Sequence, residues 1–321
     1  MPLRIVFCGT PTFALPSLRL LLAQPDFTVE GVVTQPDRPR GRGQETAGSP
    51  VKDAALAAGV AIYQPEKIKS ESAYDYFQRV APDVVVIIAY GQIIPARLIE
   101  IPRLGWINLH ASLLPKYRGA APINWAIVNG EKRSGLTTMK IDAGLDTGPM
   151  LLKHATAIGP DETAPELAAR LAEAGAPLMA ETLRKLERGE ITPTPQDNSK
   201  ATHAPPLKKE DGRIDWNLIA PQIYNRIRGL QPWPGAYTTF RGKTCQIWGK
   251  TCQIWGKPLQ PVAAGGMPGI ILPTKEDGLL VICGGPSVFR VDHARLEGRK
   301  RVTGFEFMNG ARIKPGEIFG V

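Results

Sequence analysis

The sequence predicts an α/β protein in two parts, a parallel sheet covered by helices on both faces and then a small β-rich domain. Three observations carry this. The chain has 321 residues, more than one hydrophobic core usually supports. Its first half alternates short apolar runs with amphipathic stretches, the rhythm of strands joined by crossover helices. Its last third breaks into short apolar runs separated by Gly and Pro turns, which suits a small barrel of about five strands.

Taken in order, L-R-I-V-F-C at 3–8 is the first strand, and G-T-P at 9–11 turns it tightly into a helix near 16–24. V-E-G-V-V-T at 29–34 is a second strand, followed by a helix near 51–59. V-A-I-Y at 60–63 precedes a helix near 70–80, and D-V-V-V-I-I-A-Y at 83–90 is apolar on both faces, as a buried parallel strand must be. L-T-T-M-K-I-D at 136–142 adds another strand. From Thr163 to Arg188 apolar residues recur at helical spacing, with Thr163 placed as the cap and Glu166 three residues on. Residues 189–206, rich in Pro, Thr and polar side chains, read as a linker between a domain of residues 1–188 and one of residues 207–321.

The heptad K-T-C-Q-I-W-G at 243–249 recurs unchanged at 250–256. Seven is odd and a strand alternates with period two, so the copies would put Ile247 and Ile254 on opposite faces of a continuous strand. Either Gly249 and Lys250 turn the chain, or one copy is taken up as a bulge or loop.

The formal charge of +9 is unevenly placed. Residues 1–205 hold 22 Lys and Arg against 21 Asp and Glu, whereas residues 206–321 hold 17 against 9. A basic lobe beside a neutral one suggests a polyanionic partner met by the last third, or else a solvated surface kept for solubility. Cys8, Cys245, Cys252 and Cys283 form no C-x-x-C pair and read as reduced core thiols of a cytoplasmic protein. No run approaches the roughly 18 apolar residues of a membrane span, and the N-terminal apolar run is too short for a signal peptide. Nothing in the pattern demands an oligomer, so a monomer is expected.

The chemistry centres on W-I-N-L-H-A-S-L-L-P-K-Y-R at 106–118. Residues two apart on a strand share a face, so Asn108 and His110 point into one space. D-A-G-L-D-T-G at 142–148 follows a strand end and carries Asp142 and Asp146 on a glycine-bearing loop. Ligands of open parallel sheets sit at the carboxyl ends of the strands, where both segments are expected to end. An amide, an imidazole and a carboxylate converging there suit a reaction through a tetrahedral oxyanion. G-x-G-x-x-G, the P-loop and G-x-S-x-G are absent, and no metal-ligand spacing is apparent. Direct transfer to an incoming nucleophile is therefore the simpler scheme.

These residues resemble a known family. N-L-H-A-S-L-L-P-K-Y-R-G-A-A-P followed by D-A-G-L-D-T-G is similar to the formyltransferases that use 10-formyltetrahydrofolate. The likeness continues in T-Q-P-D-R-P at 34–39, S-P-V-K at 49–52, V-I-I-A-Y-G at 86–91, L-K-K-E-D-G-R-I-D-W at 207–216 and P-W-P-G-A-Y at 232–237. The first loop and the C-terminal segments point to the branch that formylates initiator methionyl-tRNA in translation initiation. The resemblance implies a Rossmann-like domain followed by an OB-like barrel, with Asn108, His110 and Asp146 as the catalytic group. It puts the pterin along Ala89, Tyr90, Gly91 and Gln92, along Ser112, Leu113, Leu114 and Pro115, and against the loop that begins at Asp142. Asn108 would donate to the oxyanion and His110 would donate beside it or move the proton. Asp146 would orient the imidazole, steady its cation or take the proton through water. For tRNA, the Gly- and Pro-punctuated loop offers Arg38, Arg40 and Arg42 to phosphates, Arg42 being the position the resemblance carries over, and the charge of the C-terminal domain, with Lys208, Lys209, Arg299, Lys300 and Arg301, would supply the salt-dependent part of the affinity. No metal is expected. The competing readings are a folate-dependent formyltransferase acting on another amine, such as a nucleotide sugar or a purine precursor, and a noncatalytic RNA-binding protein.

Overall fold

The computed structural model describes residues 1–40, 45–251, 266–274 and 278–320. Up to residue 188 the elements are β1 (Leu3–Gly9), α1 (Leu15–Ala23), β2 (Phe27–Val33), β3 (Arg38–Arg40), β4 (Glu45–Ala47), α2 (Pro50–Ala57), β5 (Ile62–Tyr63), α3 (Glu71–Val80), β6 (Val84–Ile88), α4 (Ala96–Ile99), β7 (Trp106–His110), α5 (Pro122–Val128), β8 (Arg133–Lys140), β9 (Met150–Ala157) and α6 (Ala164–Glu187). Beyond it come α7 (Ala220–Gly229), β10 (Tyr237–Phe240), β11 (Lys243–Thr251), β12 (Ile271–Pro273), β13 (Leu279–Ile282), β14 (Val288–Leu296), β15 (Val302–Thr303) and α8 (Gly304–Gly310). These pack into two compact units. One is Met1–Pro122, Arg133–Ala157 and Glu166–Pro205; the other is Ile123–Lys132, Ile158–Pro165 and Pro206–Val321.

The first unit is built on a seven-stranded sheet of order β5-β2-β1-β6-β7-β8-β9. From β5 to β7 every pairing is parallel, the order of a Rossmann-like half with its reversal between β1 and β6. β6 is buried at all five positions, as its uninterrupted apolar run requires. Val6, Cys8, Val85, Ile87 and Trp106 pack on one face against Ala73, Phe77 and Leu98 of α3 and α4. On the other face α6 lies so close to β7 that a Cβ at Gly175 would come within 2.5 Å of Leu109 Cδ2. Helix starts follow local rules: Ser49 accepts from the Lys52 amide with Pro50 at the first turn of α2, and Ser70 accepts from Ala73 at α3.

One expectation is corrected here. β8 runs antiparallel to β7, with Ile107 opposite Lys140 and His110 opposite Thr137. It therefore ends beside the start of β7, not at the carboxyl end, and β9 (antiparallel to β8) was not foreseen.

The second unit holds a six-stranded antiparallel sheet, β10-β11-β14-β13-β12 with β15 on β14, of the small-barrel kind. Trp216, Ile223, Phe240, Val281, Phe289, Phe307 and Phe319 fill its core. It also contains α7 and α8, which the short apolar runs had concealed. α5 crosses α7 closely, with Asn124 Nδ2 donating to the Gly229 carbonyl at 2.7 Å. The first copy of the repeated heptad lies in β11, whose pairing with β14 slips at Trp248 and Gly249. That bulge is the accommodation an odd period calls for; the second copy beyond Thr251, with Cys252, lies outside the described residues. Cys8, Cys245 and Cys283 are buried, and burial pushes the Cys245 thiol up to about 12.

Candidate active site

Alternation along β7 decides what can meet. Leu109 faces α6, while Trp106, Asn108 and His110 share the opposite face. Trp106 is anchored at the base, its Nε1 donating to the Leu98 carbonyl at 2.7 Å. His110, at the carboxyl end, is 5% exposed. Its Nε2 lies 2.9 Å from the Tyr117 carbonyl, and because a carbonyl can only accept, Nε2 carries a proton. That leaves Nδ1 facing Asp146, whose Oδ2 is 3.6 Å away. The gap is too long for a hydrogen bond, yet the carboxylate stands directly beside the ring nitrogen. Asp146 Oδ2 also accepts from the Gly119 amide at 2.8 Å. Asn108 is half-buried, and among the described residues its carboxamide has no hydrogen-bond partner.

Asp146 arrives by an indirect route. Its loop leaves β8 at the far end of β7 and doubles back over the sheet face. Asp142 Oδ1 starts the turn by accepting from the Gly144 amide at 3.0 Å and the Thr147 hydroxyl at 2.6 Å. Gly148 then passes so close to β8 that a Cβ there would sit 1.8 Å from the Lys140 carbonyl oxygen. Among the described residues six that are not glycine have positive φ, and three of them, Ala89 (49°), Tyr117 (60°) and Asp146 (53°), stand on these loops. Such backbone is costly and persists only where its surroundings fix it.

The residues expected to hold folate follow the carboxyl ends of β6 and β7, at the sheet's reversal. Ala89 and Gly91 are exposed. Tyr90 is buried, with its carbonyl accepting from Gln35 Nε2 at 3.0 Å and its hydroxyl without a partner among the described residues; burial pushes that hydroxyl's pKa far up. The Gln92 carboxamide is committed to the amide of Ile68 at 2.7 Å and to Gln35 and Glu66, so only its backbone is open to a ligand. Ser112 Oγ closes its own loop onto the Lys116 carbonyl at 2.6 Å. Leu114 is buried, its amide held by Thr137 Oγ1 at 3.1 Å and its carbonyl by Lys153 Nζ at 2.7 Å. Burial lowers the Lys153 pKa. Leu113 and Pro115 are half-buried.

Of the residues expected to meet tRNA, Arg38 is exposed at the start of the β3–β4 pair, while the Arg40 side chain and Arg42 lie outside the described residues. The base of that pair is pinned by Asp37, which accepts from Lys52 and from Gln64 Nε2; the Lys52 ammonium holds the Asp37 carboxyl below the usual range. Lys208, Lys209, Arg299, Lys300 and Arg301 are all exposed.

Four residues were missed from sequence: Thr137, Arg118, Gln196 and Thr202. Gln196 Nε2 donates to the carbonyls of Asp146 and Gly148, and Thr202 Oγ1 accepts from the Tyr117 amide at 2.8 Å. Both lie in residues 189–206. Nothing in that Pro- and Thr-rich run singles out either. No helix among the described residues is long and apolar enough to cross a membrane, and these residues contain no cluster of His, Cys, Asp and Glu that could hold a metal.

Comparison with known proteins adds the following. Residues 3–183 match the model described as formyl transferase, and residues 206–312 match formyl transferase, C-terminal domain. A methionyl-tRNA formyltransferase of Solibacter usitatus is 51% identical over 320 residues, covering 99% of both chains. One from Koribacter versatilis is 50% identical, covering 98% of both. Among solved structures, the sugar 3N-formyl transferase WlaRD, crystallised with dTDP and 5-N-formyl-THF, superposes with TM-score 0.66 at 18% identity, covering 94% of this chain and all of that one. HypX from Aquifex aeolicus with tetrahydrofolic acid gives 0.60 at 17%, covering 97% of this chain and 48% of that one. At such identities these two show the shared fold alone.

Proposed function

Because the chain belongs to the formyl transferase family, we propose that Asn108, His110 and Asp146 carry formyl transfer from 10-formyltetrahydrofolate to the α-amino group of methionyl-tRNA. The protein is a methionyl-tRNA formylating enzyme, and its acceptor is the initiator species. The single observation that supports the site is the convergence on one face of β7: an unengaged Asn108 amide, and an imidazole with one nitrogen spent and the other facing a carboxylate.

The amine attacks the formyl carbon held on N10 of the folate; a C–N bond forms and the carbonyl oxygen takes up negative charge. Asn108 donates to that oxygen. The attacking nitrogen's proton passes to the His110–Asp146 pair, on the Nδ1 side, since Nε2 is committed to Tyr117. The oxyanion then re-forms the carbonyl, the bond to N10 breaks, and N10 leaves with the proton that the pair had taken up. The pterin lies along Ala89–Gln92 and Ser112–Pro115, beside the loop from Asp142. Arg38, Arg40, Arg42, Lys208 and Lys209 receive tRNA phosphates. The enzyme works as a monomer in the cytoplasm.

The test is single-turnover transfer of labelled formyl with initiator methionyl-tRNA, free methionine and an amino sugar nucleotide offered side by side. Label appearing on the tRNA alone is the expected outcome. Label on the sugar amine with none on the tRNA would overturn the reading.

A further inference from the structure

We propose that Gln196 is a positioning residue that sets Asp146 for formyl transfer, with Arg118 as its anchor; this rests on the role given to Asp146 above. The Gln196 carboxamide is engaged at both ends. Nε2 donates to the carbonyls of Asp146 and Gly148, each at 2.8 Å. Oε1 accepts from Arg118 Nε at 3.0 Å and Nη2 at 2.8 Å. Arg118 is 5% exposed. Its Nη2 also reaches Asn198 Oδ1 at 2.8 Å, and its backbone pairs with Thr202 and Ala204.

The partners dictate the side chain. A guanidinium only donates and two carbonyls only accept, so the group between them must accept at one end and donate at the other. Glutamate would turn one oxygen on the two carbonyls, leucine would serve neither end, and asparagine is one methylene short. Gln196 thereby holds the carbonyl of a left-handed residue and the carbonyl two residues on, a backbone that its own sequence does not favour. Arg118, at the other end of the amide, lies between Tyr117, whose carbonyl takes the His110 Nε2 proton, and Gly119, whose amide binds the Asp146 carboxylate. One carboxamide thus joins the loop that fixes the imidazole and the carboxylate to the loop that carries the carboxylate.

The full-length chain and its Asp146→Asn, Gln196→Leu, Gln196→Glu and Asp146→Asn/Gln196→Leu variants are compared in single-turnover transfer at saturating substrates and in steady-state titrations of folate and tRNA, with melting curves. Misplacement of about an ångström costs on the order of a hundredfold, so both Gln196 variants should lose roughly ten- to a hundredfold in rate, with KM for folate and tRNA within about threefold. Gln196→Glu keeps the size and the Arg118 bonds and carries the test if Gln196→Leu does not fold. In the Asp146→Asn background Gln196→Leu should add less than about twofold, because a residue that acts through another is silent once the other is gone. Losses that multiply, or a raised folate KM at unchanged rate, would overturn the proposal. Near-normal transfer by Asp146→Asn would instead sink the role of Asp146 itself.

Discussion

At the scale of single residues, the site asks different things of three side chains. Asn108 is a half-buried amide with no partner among the described residues, free for the donor role proposed for it toward a charge that exists only in the transition state. Asn108→Ala should lower kcat by roughly a hundred- to a thousandfold with little change in either KM. His110→Ala should cost about a hundred- to ten-thousandfold in turnover, while tRNA affinity, measured by filter binding, stays within about twofold. Equal loss of both would mark His110 as a support of the loop at Tyr117. These two residues were legible because strand periodicity is a local property, and two positions on one strand share a face whatever surrounds them. Asp146 was legible from the glycines around it, although the path it takes was not. Gln196 was not legible, since nothing local distinguishes a glutamine that bridges two loops from one that merely faces water.

At the scale of elements, the connection between β8 and β9 holds the carboxylate by tight contact with its own strand. Gly148→Ala would press a methyl onto the Lys140 carbonyl, a backbone atom that cannot swing aside. The expected cost is about 1–3 kcal/mol by denaturant titration, with a fall in kcat as Asp146 moves. A second element-scale prediction concerns the start of β6. Burial pushes the Asp83 carboxyl up, but the Arg4 amide at 2.9 Å and the Arg103 guanidinium at 2.7 Å outweigh it and leave its pKa lowered. A pKa lower in the folded than in the unfolded chain contributes stability above the unfolded value, and that contribution is lost as pH falls through the folded one. Between about pH 5 and pH 3 the wild type should therefore lose more Tm than Asp83→Asn; parallel curves would contradict it. The direction of β8 illustrates what sequence withholds. Its apolar pattern fixes it as a strand but not its direction, and the connection from 111 to 132, with α5 in it, is long enough for a parallel crossover or an antiparallel return. β9 escaped notice because five of its eight residues are polar or alanine and several are exposed.

At the scale of the molecule, the charge asymmetry becomes a statement about salt. Excess cations in the last third, with exposed Lys208 and Lys209, should make KM for charged tRNA rise steeply with ionic strength, with KM for folate nearly flat. Replacing either lysine with alanine should reduce the log–log slope by about one and weaken all tRNAs alike; an unchanged slope would take that lysine off the phosphates. The two-part architecture was readable from length and rhythm, and the family from motifs spread over the chain. What composition obscured is where the catalytic machinery ends along the chain. A fragment stopping at residue 188 would keep all three side chains proposed to react and a complete seven-stranded sheet, yet lack the carboxamide at 196 and the backbone partners at 202 and 204. Surgery on this protein should therefore cut after residue 205: the earlier cut would yield a folate binder with its carboxylate adrift.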